Sequence, residues 1–348
     1  MLSSQLHTAP DGKPFTIVTL NNSQGMQVQV MDWGATWLSC RFPVEETVRE
    51  VLLGCAQPQD YLNQQAYLGA TVGRYANRIA GAQIEQQNGP INLTPNQGTH
   101  QLHGGPDSFD QRRWDIIYQT IKSVTFRLIS PNGDNGYPGN LQVDVTYTLT
   151  DTNKVDIRYQ ATVDRGCPVN MTNHAYFNLD GVNHDSREHR LYINSDTFLP
   201  VDSEGIPNAD LTPVAGLSMD FRQPKTLSQD FLQDKFQQQV SGYDHAYLLS
   251  EECRNGDKAA ALLWSSDNKV KMSVFTTKPA LQLYSGNFLS GTPSRDGGSY
   301  GNYAGIALES EFLPDSPNHP EWPQPSCWLT PGETYRSLTV YQFESVTG

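Results

Sequence analysis

Nowhere does the sequence hold an uninterrupted apolar run approaching the ~20 residues of a membrane-spanning helix, so no membrane partner is expected. Basic residues are in short supply. The 24 Lys and Arg stand against 37 Asp and Glu, and the net charge of -13 argues against nucleic acid and anionic lipid as general partners. The opening stretch, MLSSQLHTAPDGKPF, has neither a basic start nor an apolar segment, and no secretory leader is read there. Cysteine is sparse. Cys40, Cys55, Cys167, Cys253 and Cys327 are scattered, odd in number and never in CxxC spacing, which fits free buried thiols in a reducing cytoplasm. A cytoplasmic location in turn makes the sequons at Asn92 and Asn170 irrelevant.

Several chemistries lack their sequence marks. There is no P-loop, no GxSxG nucleophile turn, no HExxH and no GxGxxG dinucleotide loop. His100 and His103 form an HxxH, half of a metal site at most. His103, which precedes Gly104-Gly105, reads better as a hydrogen-bonding loop histidine. No metal and no cofactor are expected.

Helical signals are also few; the best is LSQDFLQDKFQQQV, Leu227–Val240. What is abundant is alternation with period 2. In QVDVTYTLT, Val143, Val145, Tyr147 and Leu149 share one face; in VDIRYQATV, Val155, Ile157, Tyr159, Ala161 and Val163 do so. Successive strand side chains face opposite ways, so these are half-buried strands, with Thr150–Asn153 as the hairpin turn between them. VTFRLIS, FTIVTL, MQVQVMDW and LYINSDTFLPV are further strands, while PNGDNGYPGN (Pro131–Asn140) is too rich in turn formers to be one. The Gly-, Pro- and Ser-rich stretch after Tyr284 reads as loops between short strands. No linker or repeat divides the chain. The expectation is one all-β domain, 1–348, built as a large antiparallel β-sandwich.

Polar residues gather in loop-like segments: GRYANRIAG (Gly73–Gly81), HQLHGG (His100–Gly105), NHAYFNL (Asn173–Leu179), YDHAY (Tyr243–Tyr247), LQLYSGN (Leu281–Asn287) and ALESEFLPDSPNHP (Ala307–Pro320). His174 lies between Asn173 and Asn178, beside Tyr176 and Phe177. Amides and aromatics together suit a sugar, and a histidine titrates near neutrality. A packed core histidine is the plainer alternative. Glu309 follows apolar Ile306, Ala307 and Leu308, a candidate base or an ion-pair partner of Arg78. Glu311, two residues on, shares its face; a pair so close along one strand is ill placed to straddle a glycosidic bond, which tells against a glycosidase. Arg74 and Arg78 together also allow phosphate binding. Asp244 with His245 reads as a hydroxyl acceptor and its support, or as a turn that satisfies itself.

Taken in order, these segments closely resemble the aldose 1-epimerase (galactose mutarotase) family, bacterial type, over nearly the whole chain. The resemblance implies a galactose mutarotase-like β-supersandwich with an open sugar cleft. It also implies interconversion of the anomers of free aldohexoses such as D-galactose and D-glucose, within hexose metabolism. Carried over motif by motif, His174 is the proton donor to the ring oxygen and Glu309 the base at the C1 hydroxyl. Asn77, Arg78, His103, Tyr176, Phe177, Asp244 and Gln282 are the sugar-binding residues. Glu311 stands where many members carry glutamine. The partner is a small sugar, and monomer and homodimer remain open.

The chemistry suits the residue types. An ordinary glutamate, pKa about 4.3, is ionised at neutral pH, and roughly a quarter of an ordinary histidine, pKa about 6.5, is protonated at pH 7. A nearby carboxylate is expected to raise that fraction. The alternatives are a glucose-6-phosphate 1-epimerase, which needs a basic phosphate pocket, and a non-catalytic carbohydrate-binding protein, which needs no acid and base.

Overall fold

The computed structural model describes residues 8–181 and 184–346; residues 1–7, half of the stretch read for a leader, lie outside the described residues, as do 182–183 and 347–348. The alternating segments fold as strands. Leu141–Leu149 and Lys154–Val163 bury the residues expected of them and pair antiparallel. The turn between them closes with the Thr150 N–H donating to the Lys154 carbonyl at 2.9 Å.

These two strands belong to a nine-stranded sheet. Its order is Asp115–Gln119, Ser123–Ser130, Leu141–Leu149, Lys154–Val163, Tyr335–Ser345, Val270–Thr276, Ala261–Trp264, Arg190–Ile193, Lys225–Thr226. The last long strand of the chain, Tyr335–Ser345, thus lies in the middle, between Lys154–Val163 and Val270–Thr276. A second, six-stranded sheet runs Tyr176–Phe177, Ile306–Glu311, Ala280–Tyr284, Asp244–Leu248, Thr197–Leu199, Thr212–Pro213. A four-stranded antiparallel meander, Ile17–Asn21 to Thr47–Glu50, completes the main architecture.

The chain passes between the two large sheets more than once. LYINSDTFLPV, read as one strand, is two. Arg190–Ile193 joins the nine-stranded sheet and Thr197–Leu199 the six-stranded one. At the corner, the Ser195 hydroxyl donates to the Thr197 carbonyl at 2.7 Å.

The sheets meet face to face through one buried cluster that includes Val274 and Tyr341 from one and Leu281, Leu283, Ile306 and Leu308 from the other. The Tyr341 hydroxyl donates to the Leu308 carbonyl at 3.0 Å. One face of the six-stranded sheet is therefore spent on the core. Its other face carries the intervening residues of the same strands.

The helical signal at Leu227–Val240 overstates what forms. A 3-10 turn covers Leu227–Asp230 and an α-helix only Lys235–Gln239. The break has local causes. Leu232 sits at φ 59°, Asp234 caps the short helix by accepting from the Gln237 N–H at 3.0 Å, and the Gln237 side chain folds back to accept from the Leu232 N–H. All five cysteines are buried and free. Among the described residues no helix is long and apolar enough to cross a membrane.

Candidate active site

Strand alternation builds the floor of a cleft of about 700 Å³. On Ile306–Glu311, Ile306 and Leu308 point to the core, so Glu309 and Glu311 point the other way. Register then sets their neighbours: Gln282 lies opposite Glu309 and Ala246 opposite Gln282. Asp244 reaches Gln282 by accepting from its Nε2 at 2.6 Å. The Oε1 of Gln282 and the Oε2 of Glu309 are buried without a partner. Both belong to cleft-lining side chains, so two acceptors face the cleft.

His174 occupies the gap between two short strands. Its N–H donates to the Ala70 carbonyl and its own carbonyl accepts from the Gly69 N–H, both at 2.9 Å, so the backbone is clamped from both ends. The ring lies among Tyr67, His103 and Tyr176, with centroids 5.9, 5.3 and 4.9 Å away. Its Nε2 is 3.4 Å from Glu309 Oε1. His174 is buried, as a packed core histidine would be, yet it lines the cleft and faces a carboxyl across its floor.

Two segments joined by the pairing of Arg78–Ile79 with Gln101–Leu102 supply a wall of the cleft. Asn77 sits at φ 65° and His103 at φ 50°, and the two lock together: His103 N–H donates to the Asn77 carbonyl at 2.9 Å, and Asn77 N–H donates to His103 Nδ1 at 3.1 Å. An Nδ1 that accepts is unprotonated, so the neutral ring carries its proton on Nε2 and presents a donor at the cleft. Burial holds His103 well below the ordinary histidine range, in this neutral form. Arg78 follows. Its Nε donates to Gln97 Oε1 at 2.7 Å, and Gly205 packs against the guanidinium so closely that a Cβ there would lie 2.6 Å from Cζ.

Burial also dominates the electrostatics of the central pair. It lowers His174 to about 4, against the expectation that the neighbouring carboxylate would raise it. The physical reason is that loss of water disfavours the charged imidazolium and outweighs the pull of the neighbouring carboxyl. Glu309 is raised well above the ordinary range by burial first, then by Glu311 and Asp244, with Arg78 acting the other way. Both shifts run the same way, toward the uncharged combination of a carboxylic acid and an imidazole that share one proton.

Of the sugar-binding residues read from the sequence, Arg78, His103, Asn77, Tyr176, Asp244 and Gln282 all line this one cleft with His174 and Glu309. Phe177 does not. It alternates with Tyr176, faces the core, and packs on Tyr341 and Trp37 at 5.0 and 5.8 Å. Asn173 and Asn178 also turn inward: their amides donate to the Gly69 and Ala304 carbonyls. His245 faces Phe198 in the core and supports Asp244 only by accepting its N–H at 3.1 Å. Arg74 is no phosphate ligand, because its buried guanidinium donates to the carbonyls of Ser130, Pro131, Pro138 and Gly139 and so ties down the Pro131–Asn140 turn. Tyr67, Gln97 and Tyr284 also line the cleft and went unread. Only Tyr284 had a signal, its alternation with Gln282.

His103, His174 and Glu309 each bring one potential ligand atom within 4.8 Å of the others. A metal on His103 Nε2 would force a proton onto Nδ1, where the Asn77 N–H already points; a metal on Nδ1 would displace that bond. The hydrogen bond from Asn77 to His103 Nδ1 therefore competes with a metal at His103. His100 is separate from these three, accepting from the Gly81 N–H at 2.9 Å.

A family model described as Aldose 1-epimerase matches residues 16–342. The chain is 56% identical to the Aldose 1-epimerase of Escherichia coli (strain K12) over 344 residues, 99% of each chain. It is 36% identical to the Galactose mutarotase of Homo sapiens over 325 residues, 91% of each. Among solved structures, galactose 1-epimerase from Lactobacillus acidophilus NCFM superposes with a TM-score of 0.85 at 31% identity, covering 98% of both chains.

Proposed function

The chain belongs to the aldose 1-epimerase family and is an isomerase of that kind, and we propose that it interconverts the α- and β-anomers of free aldohexoses, D-galactose and D-glucose among them, with Glu309 as base and His174 as acid. One observation carries the reading: the two groups face each other at 3.4 Å on the floor of a cleft walled by hydroxyl-binding side chains.

Mutarotation removes a proton from the C1 hydroxyl and adds one to the ring oxygen. The pair holds a single proton, so it matches the reaction without any external donor. For the reaction to start, that proton must pass from Glu309 to His174 when the sugar binds, which leaves Glu309 ionised. Ring opening then moves the C1–OH proton to Glu309 and the His174 proton to the ring oxygen, leaving the open aldehyde beside a neutral acid and a neutral imidazole. That product state is the one burial of the two side chains favours, so it is lowered in energy relative to the charged pair. Rotation about C1–C2 and reversal of both transfers close the other anomer and reset the site. The His103 Nε2–H and Arg78 are donors placed to hold sugar oxygens, and Asp244 and Gln282 to accept from hydroxyls and fix the ring for both transfers.

Arg78 is the only Lys or Arg among the described cleft residues, and it shares the cleft with Glu204, Asp244 and Glu309. That balance disfavours a sugar phosphate and supports free hexoses. An acid facing a base also exceeds what a binding protein requires.

Polarimetry on freshly dissolved α-D-galactose and α-D-glucose tests the reading, with glucose 6-phosphate as the contrasting substrate. The enzyme should speed the free sugars to their equilibrium rotation, and His174→Ala and Glu309→Gln should each lose about 10²–10⁴-fold. A folded variant of either residue with normal activity would overturn the assigned roles.

A further inference from the structure

One buried titratable group at the site has no part in the two proton transfers. Glu311 is fully buried, one strand repeat beyond Glu309 and on the same face. Its Oε1 accepts from Asn77 Nδ2 at 2.8 Å, and its Oε2 has no partner. The charged groups that act on it are Lys278, Asp244, Arg78 and Glu309, and the phenol of Tyr75 lies alongside. Lys278 is itself buried, with Nζ 3.3 Å from Asn170 Oδ1 and resting over the Phe312 and Tyr335 rings, so it forms no carboxylate pair. Glu309 in turn faces His174 and His103, with Tyr176, Tyr284 and Tyr341 around it.

Were Glu311 needed only to hold the Asn77 turn, a neutral amide would do the same through its oxygen. The carboxyl adds a second ionisable charge next to the base. We propose that Glu311 is a positioning residue that acts through charge: by ionising behind Glu309 it keeps the single proton on the Glu309–His174 pair at alkaline pH. Burial raises both carboxyls, Glu311 to about 8 and Glu309 well above its ordinary range, and Glu311 is among the causes of the rise at Glu309. Once Glu311 is charged, the proton on Glu309 is harder to remove, and the working one-proton state survives further up the pH scale. Adjacent same-face strand positions are about 7 Å apart. Two unit charges at that separation, at an effective dielectric of about 20, shift one another by roughly one to two pH units.

The inference rests on the proposed proton roles. Its test is kcat/KM against pH by polarimetry, corrected for spontaneous mutarotation, in wild type, Glu311→Gln and Glu311→Ala. In both variants the alkaline limb should move to lower pH by about one to two units. Loss of activity in Glu311→Ala with unmoved limbs in both variants would reduce Glu311 to a clamp on Asn77 and overturn the inference. If neither variant folds, carbon-13 NMR of wild type labelled at glutamate carboxyls decides. Two coupled carboxyls titrating above the ordinary range are expected, and finding none would overturn it equally. An inactive wild type would instead bring down the functional reading itself.

Discussion

Replacing Gly205 by alanine probes how tightly the site is placed. Gly205 has φ 80° and makes no hydrogen bond to substrate-facing groups; its role is to leave room. A Cβ there would lie 2.6 Å from Arg78 Cζ and 2.8 Å from both Nε and Nη1. Ordinary carbon contacts begin near 3.5 Å, so the guanidinium must move by about 1 Å. It cannot do so freely, because its Nε is bonded to Gln97 Oε1 at 2.7 Å. A displacement of about 1 Å in a positioning group costs on the order of 10²-fold in rate. The left-handed backbone adds ~1–2 kcal/mol of strain for alanine, about 1–3 °C in melting temperature for a chain of 348 residues. Polarimetric kcat and KM on D-galactose, with a thermal melt on the same sample, should show a large loss of kcat/KM beside a small loss of stability. Full activity with the expected melting shift would refute the view that Arg78 works only from this position.

Glu311→Gln should also change stability with pH. Its carboxyl titrates at about 8 in the fold and near 4.3 when unfolded, so the native state keeps a proton that the unfolded state has lost. The contribution of this one group to stability is therefore fully present below about pH 4.3 and is lost progressively as the pH rises toward 8. The variant should match wild type near pH 4.3 and melt higher at pH 8; equal melts at both would contradict the burial of an unpaired carboxyl. Phe177→Ala should remove about 3–5 kcal/mol of unfolding free energy in urea while leaving KM of the folded fraction unchanged, since the ring serves the core. Overnight dialysis against EDTA should leave the mutarotation rate intact, because His103 has no nitrogen to spare for a metal; a loss restored by zinc would say otherwise. The His174→Ala and Glu309→Gln rates complete the set.

The sandwich was readable because alternation is a local signal: Val143 to Leu149 declare a buried face without reference to anything distant. The same rule, applied one step further, separates Tyr176 from Phe177 and would have assigned them to opposite faces. Position along the strand names a face, however, and not what covers it. His174 and Glu309 are 135 residues apart, and only the pairing of Tyr176 with Ala307 shows that they meet. Tyr67 and Gln97 reach the cleft from loops, where no periodicity points the way. Arg74 and Arg78 look alike in GRYANRIAG, yet four backbone carbonyls claim one guanidinium and the cleft takes the other. The protonation of the central pair departs from expectation for a similar reason. A sequence places a carboxylate near a histidine but does not record how much water both have lost.

The position of Tyr335–Ser345 has a bearing on how the chain is made. This strand is not an edge but the keystone of the nine-stranded sheet, bonded on one side to Lys154–Val163 and on the other to Val270–Thr276. During synthesis both of those strands emerge first, each with a bare row of donors and acceptors and an apolar face uncovered. Neither can be closed by a local partner on that side. The sheet is completed only when the last strand inserts, a contact of long sequence separation that is slow to form. A nascent or truncated chain ending before Tyr335 would therefore expose two sticky edges at once, and the protein depends on its final strand to turn two half-sheets into one surface.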